Sequence, residues 1–216
     1  MKEPPNRSAP VRARRHPDRV ADVSRESRET TISMRLNLDG RGRISVSTGI
    51  GFFDHMVSAL ALHAGFDLRL AATGDLHVDQ HHLVEDCGIV LGQAVAQALG
   101  TRRGIERTGF FAFPMEDALA LAAIDLSGRP ALMWRATFRR ARVGELDTDL
   151  IPEFFRGLAR GLGADLHLVM PYRSNDHHAV EAIFKSVGKA LKLAVARDHR
   201  YRGLVPSTKG LLEGWK

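Results

Sequence analysis

The chain has 216 residues, 44% of them hydrophobic and 26% charged, enough apolar material for one large domain or two fused small ones. No apolar run approaches the roughly 18 residues of a membrane-spanning helix, the N-terminus MKEPPNRSAPVRARRHPDRV lacks the apolar stretch of a secretory signal, and a single cysteine, Cys87, excludes an internal disulfide; together these point to the cytoplasm. The net charge is +6, of which residues 1–20 carry +4 (six bases against Glu3 and Asp18), leaving only +2 on the rest; without interleaved aromatics this basic stretch is a weak signal for a nucleic-acid or acidic-surface contact and reads first as a solvated extension, and no membrane partner is expected.

In chain order, residues 1–28 are Pro- and Arg-rich with few apolar residues and read as a disordered basic tail. TISMRLNL (31–38) alternates apolar and polar residues as a half-buried strand, DGRG is a turn, and RISVST (43–48) is a second strand. GFFDHMVSALALHAG (51–65) reads as a helix closed by Gly65, FDLRLAAT (66–73) as a strand, and HHLVEDCGIVLGQAVAQALG (81–100) as a helix with Val84, Cys87, Leu91, Val95 and Ala98 on one stripe. The order then repeats. ALALAAIDL (118–126) and ALMWRATF (131–138) are strands around the turn SGRP, IPEFFRGLARGLG (151–163) is a helix, DLHLVM (165–170) a strand, and HHAVEAIFKSVGKALKLAV (177–195) a helix. The expected fold is therefore α+β, two duplicated ββαβα halves at 29–112 and 113–205, each a sheet packed on helices, with a C-terminal segment at 206–216.

The offsets carry the duplication. Gly65 to Gly163 and Asp67 to Asp165 are 98 residues, and His81 to His177 is 96. At an offset of 98, His55 falls on Glu153, which nominates position 153 as the counterpart of His55.

Both long helices open on HHxxE. His81 and His82 share a face with Glu85 at spacings of four and three, yet diverge from each other by about 100°. One carboxylate thus sits between two imidazoles aimed at different places, which suits two metals, or a metal and a substrate, better than one ion. Imidazole and carboxylate without thiolate favour Mn, Fe or Zn over a soft metal. Cys87 faces away from Glu85. His77 and His167 alternate with apolar neighbours and read as strand-surface residues; His16 and His199 read as exposed.

These motifs resemble one family. TGIGFFDHM, GDLHVDQHHLVEDCGIVLG, GIERTG, PMEDAL, DLSGRP, VGELDTDL, EFF, NDHHAVEAIFK and PSTKG occur in order from about Glu29 to Lys209, and in that order they are similar to imidazoleglycerol-phosphate dehydratases. The resemblance implies dehydration of imidazole glycerol phosphate to imidazole acetol phosphate in histidine biosynthesis, two Mn2+ per site, and sites between subunits of a 24-subunit shell built from trimers. It implies metal ligation by His55, His81, His82, Glu85, Glu153, His177, His178 and Glu181. It implies substrate contacts from Glu29, His63, Arg107, Arg129, Lys185, Ser207 and Lys209, with Glu29, Glu85 and Glu181 as the catalytic carboxylates. Position 153 is a departure, since the family often has His there.

The residue types fit that chemistry. A phosphate dianion calls for several cations, which Arg107, Arg129, Lys185 and Lys209 supply, with the Ser207 hydroxyl as a further donor. The C2 proton of the glycerol chain is not acidic until the neighbouring imidazole has expelled the C3 hydroxyl, which asks for polarised ring nitrogens and for carboxylates as acid and base. Glu29 is the candidate base outside the ligand set. Each repeat supplies four of the ligands, so an assembly that brings repeats together, within or between subunits, is expected. Two other readings use the same residues: a dinuclear metallohydrolase of a phosphorylated small molecule, and a non-catalytic metal- or RNA-binding paralogue.

Overall fold

A computed structural model describes residues 19–210. Its first half runs β1 (Val20–Glu26), β2 (Thr30–Asn37), β3 (Ile44–Ser47), α1 (Gly51–Ala64), β4 (Asp67–Gly74) and α2 (His81–Leu99). The second runs β5 (Thr108–Met115), β6 (Ala118–Asp125), β7 (Ala131–Arg135), a short hairpin of β8 (Arg142–Val143) and β9 (Leu146–Asp147), α3 (Leu150–Leu162), β10 (Asp165–Tyr172) and α4 (Asp176–Ala194). A 3-10 turn, His199–Tyr201, follows.

The two halves have one topology. The sheets are ordered β1-β2-β4-β3 and β5-β6-β10-β7, with antiparallel pairs except for the parallel edges β3–β4 and β7–β10. Each parallel pair is joined by a crossover helix, α1 or α3. Those two helices end alike: Gly65 (φ 75°) and Gly163 (φ 62°) are left-handed, and the next residue, Phe66 or Ala164, donates back to a carbonyl of the last turn at 3.0 Å. A residue with a side chain would be strained at either position.

The duplication expected from the sequence is present, with one more strand per half. Each unit is βββαβα, because β1 and β5 precede the two strands expected. Residues 20–26, expected within the disordered tail, are β1; residues 1–18 of that tail, and 211–216 of the C-terminal segment, lie outside the described residues. The boundary expected between 112 and 113 falls inside β5. His77 is in a turn rather than on a strand, whereas His167 does face outward from β10.

The helices fill the space between the sheets. α1 and α2 lie on the first sheet and α3 and α4 on the second, and the layers meet as α1 against α4 and α2 against α3. Ile32, Met34, Leu36, Leu68 and Leu70 face inward from the first sheet, and Ala120, Ala122, Ile124, Leu166 and Leu168 from the second. At the centre Phe154 stacks on Phe184 at 5.2 Å and meets Phe53 edge-on at 5.4 Å, offset and edge arrangements that aromatic rings favour. Glycines set the α2–α3 spacing: a Cβ on Gly157 would lie 2.5 Å from the Glu85 carbonyl, and Gly88, Gly92 and Gly161 meet the facing backbone as closely.

The outer faces differ. The first sheet presents Ser33, Arg35, Arg69 and Thr73, while the second presents Phe110 (59% exposed), Met133 (45% exposed), Leu119, Leu121 and Val169.

Candidate metal centres and substrate groove

The two HHxxE segments are superposable in their local geometry. Asp79 Oδ1 accepts from the His81 amide at 2.7 Å, and Asn175 Oδ1 from the His177 amide at 2.9 Å, so each helix start is held by the side chain two residues earlier. The imidazoles of each pair stand 6.1 and 6.0 Å apart at 86° and 89°. The two rings of each pair thus stand edge to face, alike in both copies.

The first His of each pair returns to its own helix. His81 Nε2 lies 3.7 Å from Glu85 Oε2, and His177 Nε2 lies 3.5 Å from Glu181 Oε2. The crossover helices add the third member. His55 Nε2 on α1 lies 3.8 Å from Glu181 Oε1. Glu153 on α3 is paired with Arg156, whose charge also feels Glu85. His55 thus lies beside the α4 motif, while Glu153 is held by Arg156 on its own helix.

The second His of each pair points to a different set of residues. His82 Nδ1 lies 3.1 Å from Asp75, with Nε2 3.9 Å from Glu29 in the β1–β2 turn. His178 Nδ1 lies 2.8 Å from Asp117 and 3.8 Å from Glu116 in the matching β5–β6 turn. The hydrogen bonds to Asp75 and Asp117 raise the pKa of His82 and of His178 above the ordinary imidazole value.

A donor set of imidazole nitrogens and carboxylate oxygens suits a divalent ion, and the Asp–Nδ1 bonds orient each second His as metal-binding histidines are oriented, leaving Nε2 as donor. Yet among the described residues no three His, Cys, Asp or Glu are grouped tightly enough to hold a metal ion within one chain. The residues fit the group in kind, and one chain supplies partial sets.

The expected substrate residues divide. Arg107, Arg129, Ser207 and Lys209 line one groove of about 730 Å³ together with Glu106, Arg200 and Pro206. Arg107 makes a two-pronged pair with Asp125 (2.7 and 2.8 Å) and donates to the Pro206 carbonyl at 2.7 Å, tying the C-terminal segment to the end of β6. Lys185 and His63 lie elsewhere, between α1 and α4. Lys185 Nζ is 2.6 Å from Glu181 Oε1 and 5.5 Å from the Phe113 ring centre, and His63 packs edge-on to the same ring at 5.1 Å. Burial and the nearby charges of Lys185 and Lys189 push the His63 pKa below its ordinary value.

Sequence reasoning missed the supports of these groups. Glu145 Oε1 accepts from the Phe52 amide at 2.9 Å at the start of α1. Gln80 bonds the Glu145 carbonyl at 2.8 Å and the Asp147 amide at 3.3 Å at the start of α2. Buried Asp176 accepts from the Arg139 and Arg140 amides, both at 2.8 Å, at the start of α4. One loop, 136–149, so laces together three helix starts that carry candidate ligands. Its signals in the sequence were the motif VGELDTDL and its length, since the corresponding link in the first half is residues 48–50.

A model of the imidazoleglycerol-phosphate dehydratase family matches residues 48–191. An imidazoleglycerol-phosphate dehydratase of Gluconobacter oxydans is 53% identical over 194 residues, covering 90% of this chain and 98% of that protein. One of Acidiphilium cryptum is 52% identical over 194 residues, with 90% and 99% coverage. The crystal structure of the Staphylococcus aureus imidazoleglycerol-phosphate dehydratase aligns with a TM-score of 0.75 at 32% identity, over 82% of this chain and 99% of that one. That of the Pyrococcus furiosus enzyme, solved in complex with (S)-C348, aligns with a TM-score of 0.76 at 36% identity, over 88% and 100%.

Proposed function

Because the chain belongs to the imidazoleglycerol-phosphate dehydratase family, we propose that it is a lyase of histidine biosynthesis that removes water from imidazole glycerol phosphate to give imidazole acetol phosphate, using two divalent ions, Mn2+, per site. The observation that carries the reading is the paired HHxxE geometry, two His pairs crossed at 86° and 89° with the second His of each pair held through Nδ1 by an aspartate.

His55, His81, His82, Glu85, Glu153, His177, His178 and Glu181 would hold the ions. Bound there, the ions supply Lewis acidity to the imidazole ring nitrogens and the departing hydroxyl. The rest is done by the chain. Arg107, Arg129, Ser207 and Lys209 bind the phosphate in their shared groove. Asp75 and Asp117 hold the imidazoles of His82 and His178 in one tautomer. Glu29, with Oε1 3.9 Å from His82 Nε2, takes the C2 proton. Glu85 and Glu181 bring negative charge beside the imidazole ring whose electrons expel the C3 hydroxyl of the chain. His63 and Lys185 flank the α1–α4 side, where the lowered pKa of His63 keeps it neutral and able to donate and accept.

We also propose a homo-oligomer, 24 subunits built from trimers, in which copies complete each other's partial donor sets. The apolar outer face of the second sheet, with Phe110 and Met133, supports burial against other copies. No helix among the described residues is long and apolar enough to cross a membrane, and we propose a cytoplasmic enzyme.

Metal analysis coupled to turnover tests the reading. Protein stripped by chelation is expected to lose dehydration and regain it with Mn2+ at two ions per chain; full turnover after complete stripping would contradict it.

A further inference from the structure

Arg102 is a side chain that neither the motif nor the groove accounts for. It is fully buried, at 0% exposure, on the link between α2 and β5. Arginine is almost never buried without specific partners. Its guanidinium donates to the Leu126 carbonyl at 2.7 Å, to the Gly163 carbonyl at 3.2 Å and to the Leu162 carbonyl.

Those acceptors are the two ends of one junction. Leu126 opens the turn 126–130, which carries Ser127 and Arg129 into the groove. Gly163 caps α3, and its carbonyl also accepts from the Gly128 amide at 2.9 Å, in the middle of that turn. Within the turn Ser127 Oγ accepts from the Arg129 amide at 3.2 Å. Arg102 therefore stitches the end of α3 to the loop that presents Arg129.

Two further observations separate this from ordinary core support. First, the backbone is left-handed at Arg102 (φ 52°) and again at Arg107 (φ 68°), which lines the groove. Non-glycine residues are uncommon there and persist where the surroundings fix them. Second, Arg102 stands on the half with the groove, and the first-half turn is held by other groups. In the first half the turn after β2 is held by a carboxylate, Asp67, which accepts from the Arg41 amide at 2.7 Å and the Arg43 amide at 2.9 Å. Among the described residues no other arginine is fully buried, and Arg102 lies in the half that carries the cationic groove.

We propose that Arg102 is a positioning residue for anion recognition: it locks the 126–130 turn so that Arg129 and Ser127 face the phosphate. Its charge lies close enough to be felt together with Asp125 and Arg107, so it also adds to the positive field beneath the groove. The proposal rests on the phosphate-binding reading of that groove.

The test uses the Mn2+-loaded assembly of the full chain and compares wild type, Arg102→Lys, Arg129→Ala and the double variant. Lysine keeps the charge but cannot span three carbonyls. Arg102→Lys is expected to raise KM about tenfold with kcat changed less than about threefold, the pattern of lost binding rather than lost chemistry. In the Arg129→Ala background the same change is expected to cost less than about twofold, because residues acting through one another are non-additive. Equal KM effects in both backgrounds, or a fall in kcat at constant KM, would overturn it. Calorimetric titration of inorganic phosphate reads the anion contact whether or not dehydration is the reaction: weaker binding to Arg102→Lys supports the proposal, and equal binding or no binding to wild type overturns it. If Arg102→Lys does not assemble, Ser127→Ala, which loosens the same turn, is expected to reproduce the KM effect, and an unchanged KM there overturns it.

Discussion

Asp117 Oδ1 lies 2.8 Å from Nδ1 of His178, reaching it from the turn between β5 and β6. This bond fixes which ring nitrogen carries the proton and leaves Nε2 as the donor. Asp117→Asn should keep the fold and weaken metal binding at the His178 side by about 10–100-fold, the usual cost of losing such an orienting carboxylate. Metal titration followed by calorimetry reads this; unchanged affinity would remove Asp117 from the site.

On the proposed ligand set, His82→Ala and His178→Ala should each lose metal and activity together and loosen the proposed assembly, since each would remove a ligand from a set that the described residues of one chain do not complete. Metal content, turnover and sedimentation measured on the same sample check it. An active, fully metallated His178→Ala protein would refute the dinuclear site.

Glu153 lies in the first turn of α3 and pairs with Arg156. As an anionic oxygen ligand it should favour Mn2+ or Mg2+ over Zn2+. Glu153→Ala should weaken one of the two ions selectively, and Glu153→His should tighten Zn2+ relative to Mn2+. Two ions bound with unchanged affinity in Glu153→Ala would show that the position is not a ligand.

Gly157 brings α3 within reach of Glu85, and a Cβ there would lie 2.5 Å from the Glu85 carbonyl. Gly157→Ala should destabilise the fold by about 1–3 kcal/mol, the usual cost of overpacking, and should weaken metal binding on the α2 side as the helices part. Thermal melting with metal titration checks both effects; neither changing would mean that the helices have slack.

Legibility in the sequence followed local pattern. Gly65 and Gly163 and the HHxxE pairs were readable because the repeat places like residues at nearby offsets, 98 and 96 residues, and the first of these offsets nominated Glu153 opposite His55. β1 and β5 were not. β1 is an edge strand with charged residues and little inward surface beyond Ala21 and Val23. β5 contains Gly109 and Pro114, which weaken a strand pattern; Pro114 is tolerated because β5 is also an edge. Gly109 is required because a Cβ there would strike the Ala190 carbonyl of α4. Asp75, Asp117, Glu145 and Asp176 sit in turns or at helix starts, and only tertiary packing reveals what they hold.

Asp67 links the first-half turn to β4 through the Arg41 and Arg43 amides and the Arg43 guanidinium. These donors hold its pKa well below the ordinary 3.8. A depressed carboxylate stabilises the fold above its unfolded value and loses that contribution as pH falls through 3.8 toward the folded value. Asp67→Asn should therefore melt several degrees lower than wild type at neutral pH, with the gap closing on acidification below 3.8. A gap that is constant with pH would show that the ionised form is not what matters.

Dehydration at the proposed site would leave the phosphate ester intact. Phosphorus and proton NMR of imidazole glycerol phosphate incubated with the Mn2+-loaded protein tests it most directly. The expected product is a ketone, imidazole acetol phosphate, with its phosphate still esterified and no inorganic phosphate formed. Release of inorganic phosphate with the glycerol chain unchanged would contradict it and mark the chain as a metallohydrolase.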